Sequence, residues 1–158
     1  MIKALISLPF VAAGMLAAYL LYFAGDNEIA LKPKSAAVVS KGRLIYVENC
    51  ASCHGAQLEG QPNWRQRDEE GYLPAPPHDA SGHTWHHSDR QLFELTKHGL
   101  GVILGDKNFK TRMPAYGNQL SDQEILAVLS YIKSTWPADI QSRHDKLNAA
   151  RKAQESGS

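Results

Sequence analysis

Two cysteines separated by two residues and followed at once by a histidine, Cys50-Ala51-Ser52-Cys53-His54, carry the strongest chemical signal in the chain. Thiols at this spacing near a helix end can each add across one vinyl group of a haem. The adjoining imidazole then lies under the ring, where it can bind the iron. Attachment at two points suits a small domain, because the porphyrin itself becomes part of the core. Three other chemistries use the same residue types. A redox dithiol follows a strand in a βαβ unit, whereas a helical pattern precedes Cys50 and no strand pattern appears. A zinc site built from Cys50, Cys53, His83 and His87 would need a gap far longer than finger spacing. A disulfide across two residues of a helical turn is strained and leaves His54 unexplained.

A haem with one imidazole calls for a ligand on its other face. Of the three Met, Met1 initiates and Met15 lies in an apolar N-terminal stretch. Met113 is therefore the thioether open to a haem domain. It stands in Thr111-Arg112-Met113-Pro114-Ala115-Tyr116-Gly117, an irregular loop that Pro114 stiffens while removing a backbone donor. Without a haem it would read as a gap-filling core residue. A histidine taking its place as sixth ligand is the alternative, and would lower the reduction potential.

Helices must position these groups. Ser40 caps a helix beginning near Lys41, on which Gly42, Tyr46 and Cys50 share one face. From Gln57 to His87 the chain is polar and proline-rich, a long loop. Ser88-Asp89-Arg90-Gln91 is a capping box that opens a second helix, which stops at Gly99. Gly99 to Gln119 is irregular again. A third helix opens on the capping box Ser121-Asp122-Gln123-Glu124, carries Ile125, Val128, Leu129 and Ile132 on one face, and ends before Pro137. The segment 137–158 reads as a mostly polar, partly helical and peripheral tail.

With these residues in hand, the chain resembles the class I c-type cytochromes over about Ser40 to Trp136. In that family a Gly-x-x-x-aromatic pattern on the first helix meets a Leu-x-x-aromatic pattern on the last. Gly42 and Tyr46 match the first, and Val128 and Tyr131 the second, with Val in place of Leu. The resemblance implies an all-α fold of three main helices around one covalently bound haem c. Cys50 and Cys53 would hold the haem, and His54 and Met113 would be the axial ligands of its iron. It also implies that the carbonyl of one of Pro74, Pro76 and Pro77 accepts the Nδ1 proton of His54, fixing the tautomer. Haem is attached to such proteins outside the bacterial cytoplasm, so the domain is expected to face the periplasm.

Four histidines, His78, His83, His86 and His87, crowd into ten residues around Trp85. They could form a second copper or zinc site, or cover the haem edge with Trp85 or a histidine bonding a propionate. Stretches like Pro76-Pro77-His78-Asp79 and Trp85-His86-His87 resemble those of proteobacterial membrane-bound cytochromes, which favours the second role.

Residues Ala4 to Ala24 are almost unbroken apolar sequence, which as a helix would extend roughly 31 Å, about one bilayer core. The stretch exceeds the apolar core of most signal peptides and lacks a small-x-small ending, which favours a retained anchor. The expected organisation is a transmembrane anchor over 1–25, a linker over 26–39, a haem domain over 40–136 and the tail over 137–158. Removing Lys3 from the 17 basic residues leaves basic and acidic residues equal at 16 in the exterior part. That balance excludes a basic nucleic-acid footprint and argues against strong long-range steering of partners. A chain of 158 residues also excludes a large multidomain enzyme, and one C-x-x-C-H disfavours a two-haem peroxidase.

The expected function is that of an inner-membrane, mono-haem carrier of single electrons between redox proteins, without a substrate site of its own. The competing expectations are a fixed haem subunit of a respiratory or copper-handling complex, a gas- or peroxide-reactive haem protein whose Met113 dissociates, and a metal-binding module without haem.

Overall fold

A computed structural model describes residues 29–106 and 108–157. Among them every regular element is helical. These are α1 (Ala36–Asn49), α2 (Ala51–His54), a 3₁₀ turn (Thr84–His86), α3 (Asp89–His98), α4 (Leu100–Ile103), α5 (Asp122–Ser134) and α6 (Ala138–Ser156). The expected anchor over residues 1–25 lies outside the described residues. No helix among the described residues is long and apolar enough to cross a membrane.

The crossing of α1 and α5 is the centre of the fold, and Gly42 sets it. A Cβ at this position would overlap the carbonyl of Ala127, so only a glycine lets the two backbones meet. One turn further along, Tyr46 is wholly buried and its ring lies 5.5 Å from that of Tyr131. Ile45, Ile125, Val128, Leu129 and Ile132 complete the apolar layer, joined from α3 by Leu92 and Phe93. Burying each such side chain stabilises the fold by about 1.5–3 kcal/mol.

Both capping boxes form. Ser88 Oγ accepts the Gln91 N–H at 3.3 Å, and Ser121 Oγ accepts that of Glu124 at 3.4 Å. Each satisfies an amide that its helix leaves unpaired. Gly99, at φ +83°, ends α3, after which α4 adds one short helix within the stretch read as irregular.

Two boundaries differ from the sequence reading. The first helix starts at Ala36, with Ser35 rather than Ser40 at its N-cap. The residues just before it are docked: the Leu31 amide donates to Asp89 Oδ2 at 2.9 Å, and that of Lys32 to Ser130 Oγ at 2.9 Å. The end of the expected linker is thus part of the folded body. The polar C-terminal segment forms α6 nearly throughout, with Pro137 at its N-cap. Proline ends α5 and pre-sets the backbone entering the next helix, where its missing N–H has no partner to lose. One residue of α6, His144, is completely buried. Its polarity had hidden it, because a single inward histidine gives no apolar periodicity.

Candidate functional site

Cys50 closes α1, its amide donating to the Tyr46 carbonyl at 2.9 Å, and the chain re-enters a helical turn that ends at His54. Gly55, at φ +82°, breaks that turn, and its carbonyl accepts the Tyr46 hydroxyl at 2.8 Å. The core tyrosine therefore fixes where the motif stops. The two cysteines are not bonded to each other; Cys50 is half-buried and Cys53 exposed. Burial, then proximity to Cys53, pushes the Cys50 thiol up to about 11. A thiol so hard to ionise is the reverse of an activated redox dithiol.

His54 is buried, and its Nδ1 lies 2.8 Å from the carbonyl of Pro76. A carbonyl only accepts, so Nδ1 carries the proton and the Nε2 lone pair is left for another partner. Among the three prolines considered, Pro76 is the one used. Gln61 secures this strip of loop, its amide donating to Ala75 O at 2.8 Å and its Oε1 accepting the Ala75 amide at 2.8 Å. Pro77 further restricts the backbone of Pro76. Burial lowers the basicity of His54, and the bond to Pro76 offsets part of that effect.

One cavity, of about 410 Å³, is bordered by Cys50, Cys53 and His54 and also by Met113. Its walls include Leu92, Val128 and Ile132. The size lies within the range of about 300–1,000 Å³ usual for cofactor pockets. Two thiols, an imidazole with a free lone pair, a thioether and an apolar lining are a donor set that suits a covalently held haem. The Met113 loop is fastened on its C-terminal side: the Tyr116 amide donates to Thr96 O at 2.9 Å, and the Tyr116 hydroxyl to Asn49 O at 2.8 Å.

The histidine-rich segment divides its labour. The ring of His78 stacks on that of His54, centroids 3.9 Å apart, and its Nδ1 is 2.8 Å from the Thr84 hydroxyl. His83 stacks on Trp64 at 5.1 Å, Arg65 covers the same indole at 4.0 Å, and His86 stacks on Trp85 at 3.7 Å. His83, His87, Trp64 and Arg65 border the cavity; Trp85 does not. The Trp85 Nε1 is buried with no hydrogen-bond partner among the described residues. No group of three or more His, Cys, Asp or Glu among the described residues is placed to hold a metal ion. Trp64 and Arg65 were missed from sequence because nothing in a polar loop marks which residues fold back.

An all-helical domain whose first helix crosses its fifth, with this pocket between C-x-x-C-H and a methionine loop, defines a haem-bearing electron-transfer protein. The family model described as Cytochrome c matches residues 39–136, more than half the chain, and the protein belongs to that family, whose members carry covalently attached haem c. The chain is also 21% identical over 103 residues to the "Cbb3-type cytochrome c oxidase subunit FixP" of Sinorhizobium medicae (strain WSM419). That match takes in 65% of this chain and 32% of the relative, so the chain accounts for about a third of its length. No solved structure matches.

Proposed function

We propose that the protein is a membrane-tethered, periplasm-facing cytochrome in which Cys50 and Cys53 form the two thioethers, and His54 and Met113 are the axial ligands. The haem would supply a one-electron iron couple. The chain's residues would then hold it, exclude water and keep both faces of the metal occupied. Filled faces leave no position for substrate and restrict the domain to passing single electrons between redox proteins.

The observation that carries this reading is the His54–Pro76 bond at 2.8 Å. It leaves the Nε2 lone pair free to coordinate, on a residue that borders the same cavity as Met113. The edge-covering part expected of Trp85 fits Trp64 and Arg65 better, since these border the cavity. The domain limits expected from sequence, 40–136 with an anchor before and a tail after, belong to this proposal. The tail would act as an outer brace of the haem domain.

A second reading follows from the similarity to an oxidase subunit: the cytochrome would sit fixed within a respiratory complex and relay electrons there. Native sizing after mild detergent extraction separates the two. A free carrier elutes near its own mass plus detergent, and a subunit co-elutes with partners.

The test of ligation is the optical spectrum of the ascorbate-reduced, membrane-extracted protein before and after carbon monoxide. A c-type spectrum unchanged by the gas is expected. A carbon monoxide adduct of the native protein would overturn the saturated iron, and would favour a gas- or peroxide-reactive protein instead.

A further inference from the structure

The loop 67–72 lies against residues 109–112, which lead directly into Met113. Arg112 is the centre of this contact. Its Nη1 donates to Asp68 Oδ2 at 2.5 Å and its Nη2 to Glu70 Oε2 at 2.8 Å. Its guanidinium covers the ring of Tyr72 at 4.1 Å. Beside it, Lys110 Nζ donates to the carbonyl of Glu70 at 2.7 Å, and Arg67 faces the ring of Phe109 at 5.6 Å.

The receiving loop is shaped for this. Asp68 Oδ1 accepts the amides of Glu70 at 3.1 Å and Tyr72 at 2.8 Å, closing a tight turn. Its other oxygen is thereby aimed at Arg112. Gly71, at φ +85°, supplies the left-handed residue the turn requires.

The two flanks of Met113 are held by different physics. On the C-terminal side, Tyr116 is buried and bonded to α1 and α3, a contact that salt barely affects. The N-terminal side is gripped by charges that are largely solvent-exposed, with Arg112 50% and Glu70 73% accessible. Exposed ion pairs are screened within about 10 Å at moderate ionic strength. Singly they are weak, and they gain from acting as a fork-shaped network.

We infer that Arg112, clasped by Asp68, Glu70 and Tyr72, is a positioning residue that keeps the Met113 thioether on the iron and so governs how easily an outside ligand displaces it. This rests on the reading of Met113 as axial ligand. Arg112 borders the cavity beside Met113, but its guanidinium is taken up by Asp68 and Glu70, so it acts on the thioether through the loop.

The experiment uses the full-length, haem-loaded ferric protein and follows binding of imidazole, in alkaline buffer where this probe is uncharged, by stopped-flow absorbance. Arg112→Gln should raise the rate of imidazole binding by about five- to tenfold, the loss expected for one to two exposed ionic contacts. It should also weaken the near-infrared iron–sulfur charge-transfer band. Arg112→Lys should restore part of the native rate. Arg90→Gln, which removes the exposed Arg90–Glu155 pair, controls for loss of one positive charge and should behave as the native protein.

In the native protein, added sodium chloride should raise the rate, a readout that stands even where the variant does not mature. A native rate in Arg112→Gln, or a native rate independent of salt, overturns the clasp. Met113→Ala separates the two claims. If its spectrum and coordination match the native protein, the ligand assignment itself falls. If it opens the iron while Arg112→Gln leaves the rate unchanged, only the clasp falls.

Discussion

The buried imidazole of His144 donates its Nε2 proton to the carbonyl of His87 at 2.8 Å, joining the last helix to a residue on the wall of the cavity that Cys50, Cys53 and His54 border. The carbonyl fixes the tautomer, so Nδ1 is an acceptor, and the Asn148 amide lies 3.4 Å from it. Asn148 is oriented in turn by Asp89, whose amide donates to Asn148 Oδ1 at 2.7 Å and whose Oδ1 accepts from Asn148 Nδ2 at 2.9 Å. A helix with almost no apolar face is thus held by a connected set of partly buried hydrogen bonds.

Acid should loosen that set. Burial lowers the basicity of His144, the neighbouring Lys133 adds to this, and Asp89, the His87 carbonyl and Asp145 oppose it. An unfolded imidazole takes up its proton near about pH 6.5, the folded one only at lower pH. The contribution is therefore complete above the unfolded value and is lost as pH falls from there through the folded value. His144→Gln should cost about 1–3 kcal/mol at neutral pH. It should also flatten the fall in stability between about pH 7 and about pH 5. Denaturant midpoints of both proteins across that range check this, and equal slopes would remove His144 as the source.

Gly42→Leu should destabilise the haem domain by about 3 kcal/mol or more, since the added side chain must displace the backbone of Ala127. Gly42→Ala should already be costly for the same reason. Thermal or denaturant unfolding followed by haem absorbance measures the loss. A native midpoint for Gly42→Ala would mean the helices do not cross as closely as described.

Met113→Ala should keep its haem through acid-acetone extraction, because the thioethers to Cys50 and Cys53 would be untouched. The reduced variant should bind carbon monoxide where the native protein does not. An inert variant would point to an imidazole on the sixth position, and His83 and His87 both border the cavity.

Replacing His83, His86 and His87 together by Ala should leave metal content at one iron per chain. Elemental analysis that finds copper or zinc lost from the native amount would restore a second metal site to this segment. The His83 and His86 rings instead stack on Trp64 and Trp85, and His87 meets His83 edge-on, so the measurable cost is expected in stability.

Much of the fold was legible because it obeys local rules. Capping boxes at Ser88 and Ser121 depend on residues three apart, and the buried face of α5 repeats with the helical period, so both can be read from the string alone. The start of α1 is not legible locally because Ser35 and Ser40 are both acceptable caps, and Ser35 stands at the N-cap without a side-chain cap bond, in a stretch docked on the core through Ile29 and Leu31. Nothing local distinguishes His144 from the other polar residues of α6. Its burial exists only once Trp136, Asp89 and Asn148 surround it.

The sequence by itself determined the spacing of Cys50, Cys53 and His54, which is that of a covalent haem motif, and supplied Met113, the thioether we propose for the opposite face. Tertiary structure decided which atoms serve that chemistry. It chose Pro76 to hold His54, placed His78 against the ring, brought Trp64 and Arg65 to the cavity in place of Trp85, and set loop 67–72 on Arg112. The physical reason is that these pairings join residues distant along the chain through a loop without periodicity. Their identity is fixed by where the packed helices leave room, which no local pattern of residues encodes.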